Sequence, residues 1–476
     1  MKVSKLIPML LLIIFSSSTV IGQNGISDTV ITLVNENLPL NDAQHPCITP
    51  SEYELLEQQC AENIKFLGLD KNLPEKQLLP ISVSWPIKAA AGFTDCDYYF
   101  IGAYVDQNIA ATAIKDFNCG NNTYDGHHGT DISVWPFGFY KMDSSLVEVV
   151  AAAPGTIVQK ADGNFDRNCV TNTMTANSII IQHADGSRAL YWHMKKNSVT
   201  AKAIGQTVVA GEYLGVAGSS GNSSGPHLHF EVWAGSTNTT YNDPFAGTCN
   251  TLNTASWWSA QKPHTNPAVI KVSVNTTDIV LPGCPNTETP NESSVYTIPF
   301  QGAGLSPGYA KFYIFIRDDV SGQSADCKIL NPNGTTFNSW TYTSTTSAKN
   351  AIRGYSKLLP TVPGVYTFQA TYYGKTCSKT FTIKTVSSGI KSNTSSDFTL
   401  YPNPSDGKLY LKLGTSSLSE NINEIDFINS AGVETKISNI SSDTKVIELN
   451  LAPGIYFYII KSKDNSQTNS GKIIIT

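Results

Sequence analysis

Apolar and polar residues alternate in several stretches of this chain, and each such stretch predicts a strand, because side chains two apart in extended backbone share a face. In Gly225–Val232 (GPHLHFEV), His227 and His229 point the same way while Leu228 and Phe230 pack behind them. Ser178–His183 and Arg188–His193 read as strands joined around Asp185-Gly186, a favourable hairpin turn. Alternation there puts Tyr191 and His193 on one face and Trp192 and Met194 on the other. Lys311–Ile316 (KFYIFI) and Val365–Tyr373 (VYTFQATYY) are further strands, the second with Tyr366, Phe368, Ala370 and Tyr372 inward. One segment has the helical period instead. Thr49-Pro50-Ser51-Glu52 is a capping box with proline at the first helical position, and Tyr53, Leu56, Cys60, Ile64 and Leu67 form one apolar stripe that Gly68 ends.

These patterns divide the 476 residues into a mainly β, multidomain protein. Lys2 and Lys5, the apolar run Leu6–Phe15 and the small residues after it read as a signal peptide over 1–22, too short to span a bilayer. Residues 23–84 form a small N-terminal helical segment, read either as a decoration, the preferred reading, or as a propeptide shielding a groove. A domain of antiparallel sheet occupies 85–250, an immunoglobulin-like β-sandwich 267–385, a polar linker 387–396, and a C-terminal β-sandwich 397–476. The sandwich at 267–385 reads as a spacer in preference to a carbohydrate- or wall-binding module.

Composition narrows the picture. Charged residues make up only 15% and the net charge is −5, so there is no basic footprint for nucleic acid, and no further stretch is apolar enough for a transmembrane segment. Nine cysteines in an exported chain imply disulfides with one thiol left over. Cys47–Cys60, Cys96–Cys119 and Cys169–Cys249 are the plausible pairs, while Cys284, Cys327 and Cys377 are too few to pair completely.

Five of the eight histidines fall in three motifs: HHGTD at His127–Asp131, YWHM at Tyr191–Met194, and the HxH strand. Zinc takes imidazole and carboxylate ligands, and catalytic sites keep three protein ligands and a water. His127, Asp131 and His229 are the candidate ligands, which leaves His193 and His227 beside the metal as catalytic groups. Glu231 shares the face of His229 and reads as a solvated strand glutamate in preference to a partner of that ring. His128 lines the groove or faces solvent, and His183 is structural. The glycine-rich Gly215–Gly225 has no lysine or helix after it, so it is no phosphate cradle.

HxGxD, then YxH, then GPHLHF in that order resembles the lysostaphin-type zinc endopeptidases, over roughly Trp85 to Cys249. The resemblance implies an antiparallel β-sheet metallopeptidase domain, one Zn2+ held by His127, Asp131 and His229, and paired non-ligand histidines, His193 and His227. It implies peptidoglycan cross-bridges or stem peptides as substrate; the alternatives are glycine-rich extracellular proteins, or a non-catalytic wall-binding surface protein. One departure is the insertion VWPFGFYKMDSSLVEVVAAA before Pro154-Gly155-Thr156, whose Trp135, Phe137, Phe139 and Tyr140 form either a groove wall or a patch packed on the domain. The tail, with YPNP at Tyr401–Pro404, LAPGIYFYII at Leu451–Ile460 and GKIIIT at the end, resembles the C-terminal sorting domain of the type IX secretion system. That implies the secretion machinery as a partner and a protein that is secreted, either released or attached at the cell surface; the expected oligomeric state is a monomer.

Overall fold

The computed structural model describes residues 17–21, 27–33, 47–72, 81–110, 112–385, 398–413, 422–429, 432–438, 440, 446–462 and 467–476. The linker at 387–396 lies outside the described residues, as does the signal peptide apart from Ser17–Ile21. Two compact units divide the chain, residues 1–385 and 386–476. No helix among the described residues is long and apolar enough to cross a membrane.

The first unit is built on a sheet whose strands lie between residues 99 and 242. Its strands are β1 (Tyr99–Ala103), β2 (Thr130–Val134), β3 (Gly155–Ala161), β4 (Ser178–Gln182), β5 (Arg188–Trp192), β6 (Thr207–Val208), β7 (His227–Trp233) and β8 (Tyr241–Asn242). They lie in the order β6-β3-β4-β5-β7-β2-β1, with β8 on β7. The hairpin between β4 and β5 turns at Asp185-Gly186 as the sequence predicts, and Gly186 has φ +87°. One face buries Ile179, Ile181, Ala189, Tyr191, Leu228, Phe230 and Val232 in the main core, beside a small sheet of Ile87–Ala89, Val147–Val150 and Tyr213–Val216. The opposite face carries the polar residues of the motifs and is covered by helix α1 (Pro50–Leu67). The capping box of α1 forms, Thr49 with Glu52, and Tyr53, Leu56, Cys60 and Ile64 of its stripe are buried.

The segment after residue 267 is a β-sandwich. Ala268–Asn275, Tyr309–Asp319 and Ala348–Leu358 pair in one sheet, extended by Ser27–Leu33 and Ser17–Ile21, and face Val295–Ile298, Ser324–Leu330, Thr336–Thr343, Gly364–Tyr372 and Lys375–Thr385. Tyr366, Phe368, Ala370 and Tyr372 point inward as their alternation predicts.

This sandwich is no detached spacer. Phe100, Trp135 and Phe137 share an apolar cluster with Ala268, Ile270, Tyr313, Phe315 and Ile352, so the aromatic insertion packs against the sandwich instead of walling a groove. Arg317 pairs with Asp97 at 2.7 Å, and Asp95 receives Lys271 at 2.6 Å and Lys141 at 3.0 Å. The disulfides follow the same docking. They are Cys96–Cys377, Cys119–Cys249 and Cys169–Cys284, and none of the pairs expected from sequence forms. Those expectations joined cysteines within one segment, whereas two of the three bridges cross from the first sheet to the sandwich. Cys47, Cys60 and Cys327 stay outside the disulfides.

The second unit is a β-sandwich of its own. Phe398–Tyr401, Lys408–Leu413 and Val446–Glu448 form one sheet, and Ile422–Asn429, Glu434–Ser438, Gly454–Ser462 and Gln467–Ile475 the other. Leu409, Ile425, Phe427, Ile460 and Ile473 fill the space between them.

One buried acid makes the first unit pH-sensitive. Burial pushes the Asp243 carboxyl up to about 8, against hydrogen bonds from Phe245 N and Gln107 Nε2. The native state therefore keeps a proton that the unfolded chain has released, and this contribution is whole below the unfolded value of 3.8 and lost as pH rises through about 8. Unfolding free energy should fall by about 1.4 kcal/mol per pH unit from this source across that window. Denaturant titrations at pH 5, 6, 7 and 8 test it: Asp243→Asn should flatten the slope, and an unchanged slope would refute it.

Candidate metal centre

Register decides what meets on the covered face of the sheet. β7 pairs with β2 so that His229 lies opposite Asp131, and with β5 so that His229 lies opposite Trp192. Asp131 and His229 are thereby cross-strand neighbours on one face. His127 reaches the same point from the turn before β2. His229 Nδ1 is 2.9 Å from Asp131 Oδ1, His127 Nε2 is 3.3 Å from that oxygen, and the two ring nitrogens are 3.2 Å apart. All three residues are buried, with 1–7% of their surface exposed. Gly129 is required between them: a Cβ there would sit 2.7 Å from His229 Cε1 and 2.9 Å from Phe230 O.

The other nitrogens of these rings are committed. His127 Nδ1 lies 2.6 Å from Tyr104 O, which fixes it as the N–H that donates. His229 Nε2 lies 2.7 Å from Glu231 Oε1. Two lone pairs and a carboxylate oxygen then converge within about 3 Å, an arrangement that repels itself unless a cation sits at its focus. Donors about 2.0–2.1 Å from a tetrahedral zinc lie roughly 3.3 Å from one another, so the residues fit the ion. Electrostatics agree. Burial alone would raise the Asp131 carboxyl, but His127, His229 and His227 hold it well below its ordinary range. Burial likewise opposes charge on His229, yet Cys47, Asp131 and Glu231 raise it well above its usual value, so the focus favours positive charge, which a metal ion would supply in place of a proton on Nδ1.

His193 and His227 stand beside this triangle, their rings 4.5 Å apart, with His193 6.0 Å from His229. His193 Nδ1 is 2.6 Å from Ser220 O and His227 Nδ1 is 2.8 Å from Gly225 O. Apart from the Cys47 sulfur, their buried Nε2 atoms have no hydrogen-bond partner. Strand alternation misplaces His193: it belongs with Tyr191 on the core face, yet it lies on the site face. β5 ends at Trp192, and His193 takes φ +67°, which turns its side chain over. The cost of a left-handed non-glycine, of order 1–3 kcal/mol, is borne where the ring is needed. The loop that holds it approaches closely, for a Cβ on Gly218 would sit 2.5 Å from Lys195 N.

Three residues of the site escape the sequence reading. Glu231 is no solvated strand residue: it is 1% exposed and accepts from His229, from Trp233 Nε1 at 2.8 Å and from Tyr53 Oη at 2.5 Å. Burial would raise its carboxyl, but His229 and Tyr53 draw it down to about 2. Tyr124 stacks on His127 with ring centroids 4.1 Å apart. Cys47, expected to bridge Cys60, instead puts its sulfur 2.9 Å from Tyr124 Oη and within 4.8 Å of donor atoms of Asp131, His193, His227 and His229. His128 lies partly buried against Tyr241, the rings 3.8 Å apart, and His183 binds Pro154 O at 2.8 Å in the structural role expected of it.

Helix α1 seals the face. Tyr53 reaches Glu231, Glu57 accepts from Asn238 N at 2.7 Å, and Asn63 donates to Val158 O at 2.9 Å. Burying Leu56 and Ile64 contributes roughly 1.5–3 kcal/mol each, so by that term alone the helix lifts in about one molecule in 10^2 to 10^4.

Residues 126–244, which hold all five motif residues, match the family model described as Peptidase family M23. The chain carries an M23 peptidase domain. Residues 399–476 match the secretion system C-terminal sorting domain, which marks the protein as secreted or displayed at the cell surface and implies contact with the secretion machinery. Among curated relatives of the M23 domain is the DD-carboxypeptidase/endopeptidase Mpg of Neisseria meningitidis, 46% identical over 56 residues, 12% of each chain. Another is the peptidoglycan DD-endopeptidase ShyA of Vibrio cholerae, 28% identical over 106 residues, 22% of this chain and 20% of that one. The chain spans between 12% and 20% of the length of the curated relatives it matches. The catalytic domain of lysostaphin from Staphylococcus simulans is similar at 24% identity over 33% of this chain and 96% of that one, with a TM-score of 0.19.

Because Glu231 holds the ring of a candidate ligand, its charge should count at the metal. Glu231→Gln is expected to weaken metal affinity about 10- to 100-fold, the usual effect of losing a partner behind a ligand. Competition with a chromophoric chelator measures it, and unchanged affinity would remove Glu231 from the centre.

Proposed function

We propose that this protein is a secreted zinc-dependent endopeptidase, a monomer, that cleaves peptidoglycan cross-bridges or stem peptides. The observation that carries the reading is the triangle of His127 Nε2, Asp131 Oδ1 and His229 Nδ1, with edges of 2.9–3.3 Å, next to two imidazoles whose Nε2 atoms face it. Zinc bound there would act as a Lewis acid on the scissile carbonyl and acidify a water. The proton work falls to His193 and His227. With Nδ1 committed to a carbonyl oxygen, each neutral ring accepts a proton at Nε2, and a protonated ring donates from the same atom to an oxyanion. Glu231 is no candidate base, since three partners behind His229 occupy it.

The substrate class is supported by the relatives named for peptidoglycan DD-endopeptidase and DD-carboxypeptidase/endopeptidase activity, and the sorting domain puts the protein where such material is met. The test is digestion of purified peptidoglycan and of elastin, side by side, by zinc-loaded protein before and after limited proteolysis of its N-terminal segment. Mass spectrometry of the released fragments should show cut peptide bonds in peptidoglycan. Cleavage of elastin alone would refute the substrate, and cleavage of neither would refute the activity.

A further inference from the structure

The five motif residues are 0–7% exposed, so no peptide reaches them in this form of the chain. What fills the open side of the donor triangle is the sulfur of Cys47, delivered by the two residues ahead of the cap of α1. Its Sγ belongs to two overlapping groups of converging donors, Cys47 with Asp131 and His229, and Cys47 with His193 and His227. The buried Nε2 atoms of those last two rings make no other hydrogen bond, and that of His227 also lies 3.7 Å from Asp131 Oδ1. Tyr124 Oη, 2.9 Å from the sulfur, braces it from the side of His127.

Resting on the metal centre proposed above, we propose that Cys47 is a built-in inhibitory ligand: its thiolate occupies the fourth position at the ion held by His127, Asp131 and His229, and keeps the protein latent until the N-terminal segment is removed. The donor set is complete, since zinc takes thiolate together with imidazole and carboxylate in four-coordinate sites. On binding, the Cys47 thiol gives its proton to solvent and its sulfur stands where the reacting water would be. The same residues do two further things. The sulfur separates His193 and His227 from the position of a substrate carbonyl, and α1 holds the sulfur in place through Tyr53 on Glu231 and its buried stripe. Release takes one hydrolytic cut, by another protease, between α1 and Trp85, after which water can replace the sulfur. An exported hydrolase is thereby kept inert during transit. On this proposal residues 23–84 act as a propeptide, and Cys47, which the sequence assigns to a bridge, is its inhibitory group.

Cobalt substitution of the full-length chain tests this with a readout separate from hydrolysis. A thiolate on Co2+ gives a near-ultraviolet charge-transfer band, whereas imidazole and carboxylate ligands give visible ligand-field bands alone. The band is expected in the parental chain and in Cys60→Ser, and absent from Cys47→Ser, whose retained ligand-field bands show that the centre is still folded. Removal of the N-terminal segment by limited proteolysis is expected to abolish the band, to leave the ligand-field bands, and with zinc to raise hydrolysis of peptidoglycan at least tenfold. Stoichiometric cobalt without the band would overturn the role of Cys47 while leaving the metal centre standing. No cobalt uptake would overturn the metal centre and the inhibitory ligand together. A band that survives removal of the N-terminal segment, or one that its removal abolishes without any gain in hydrolysis, would overturn the inhibition.

Discussion

Replacing His229 with alanine is expected to abolish metal binding and hydrolysis in one step. His229 gives Nδ1 to the donor triangle, and Glu231 behind it fixes the tautomer that leaves this nitrogen unprotonated. Alanine removes one of three donors and also strands the Glu231 carboxylate, buried and short of a partner. Loss of a charge partner behind a ligand already costs about 10- to 100-fold in affinity, so loss of the ligand itself should exceed that range. Metal content after dialysis should drop from one ion per chain to background, and fragment release should drop with it. The strand should survive, because Leu228 and Phe230 anchor β7 in the opposite core; circular dichroism checks that. Stoichiometric metal in His229→Ala would dismiss it as a ligand.

How much of this site could be read beforehand follows from which interactions are local. HLHFEV has strand period, so the shared face of His227 and His229 is evident, and only their pairing partner is hidden. The structure supplies that partner through the register of β7 on β2. The helix 50–67 is legible for the same reason: its cap, stripe and stop lie within one short segment. His193 is not legible. Whether a residue one step past a strand end keeps the alternation depends on a left-handed backbone that the Ser220 carbonyl and the Gly218 approach hold in place, both more than twenty residues away.

Cys47, Tyr124 and Glu231 fail for a related reason. Cys47 has an ordinary local reading as half of a bridge and Glu231 as a solvated strand carboxylate, while nothing near Tyr124 singles it out. Each is reassigned by contacts 77 to 178 residues distant, Cys47 with Tyr124 and Tyr53 with Glu231. The disulfides carry the same lesson at the scale of domains. Cys96 and Cys377 are 281 residues apart, and nothing near either cysteine announces that the sandwich docks on the first sheet. A signal did exist in the histidine count and the odd thiol. A cysteine just ahead of a capped helix whose stripe must cover something is a candidate to point into what that helix covers.

The division of labour among the five residues predicts a second large effect, opposite in kind. His193→Ala is expected to keep one metal ion per chain while kcat/KM for peptidoglycan fragments falls by about 10^2 to 10^4, the range for losing a positioned proton-transfer group. His193 takes no part in the 2.9–3.3 Å contacts among His127, Asp131 and His229, and its ring lies 6.0 Å from that of His229, so the donor triangle remains. Its Nδ1 is tied to Ser220 O, which leaves Nε2 as the atom that moves the proton. Parental and variant chains must be compared after the same removal of the N-terminal segment, since otherwise the burial of the site masks the difference. His227→Ala should resemble it, and the double variant should cost little more than the worse single one if both act on one transition state. Full activity in His193→Ala would mean that the strained turn holds a ring the reaction does not use. Loss of metal along with activity would instead make His193 part of the centre's scaffold.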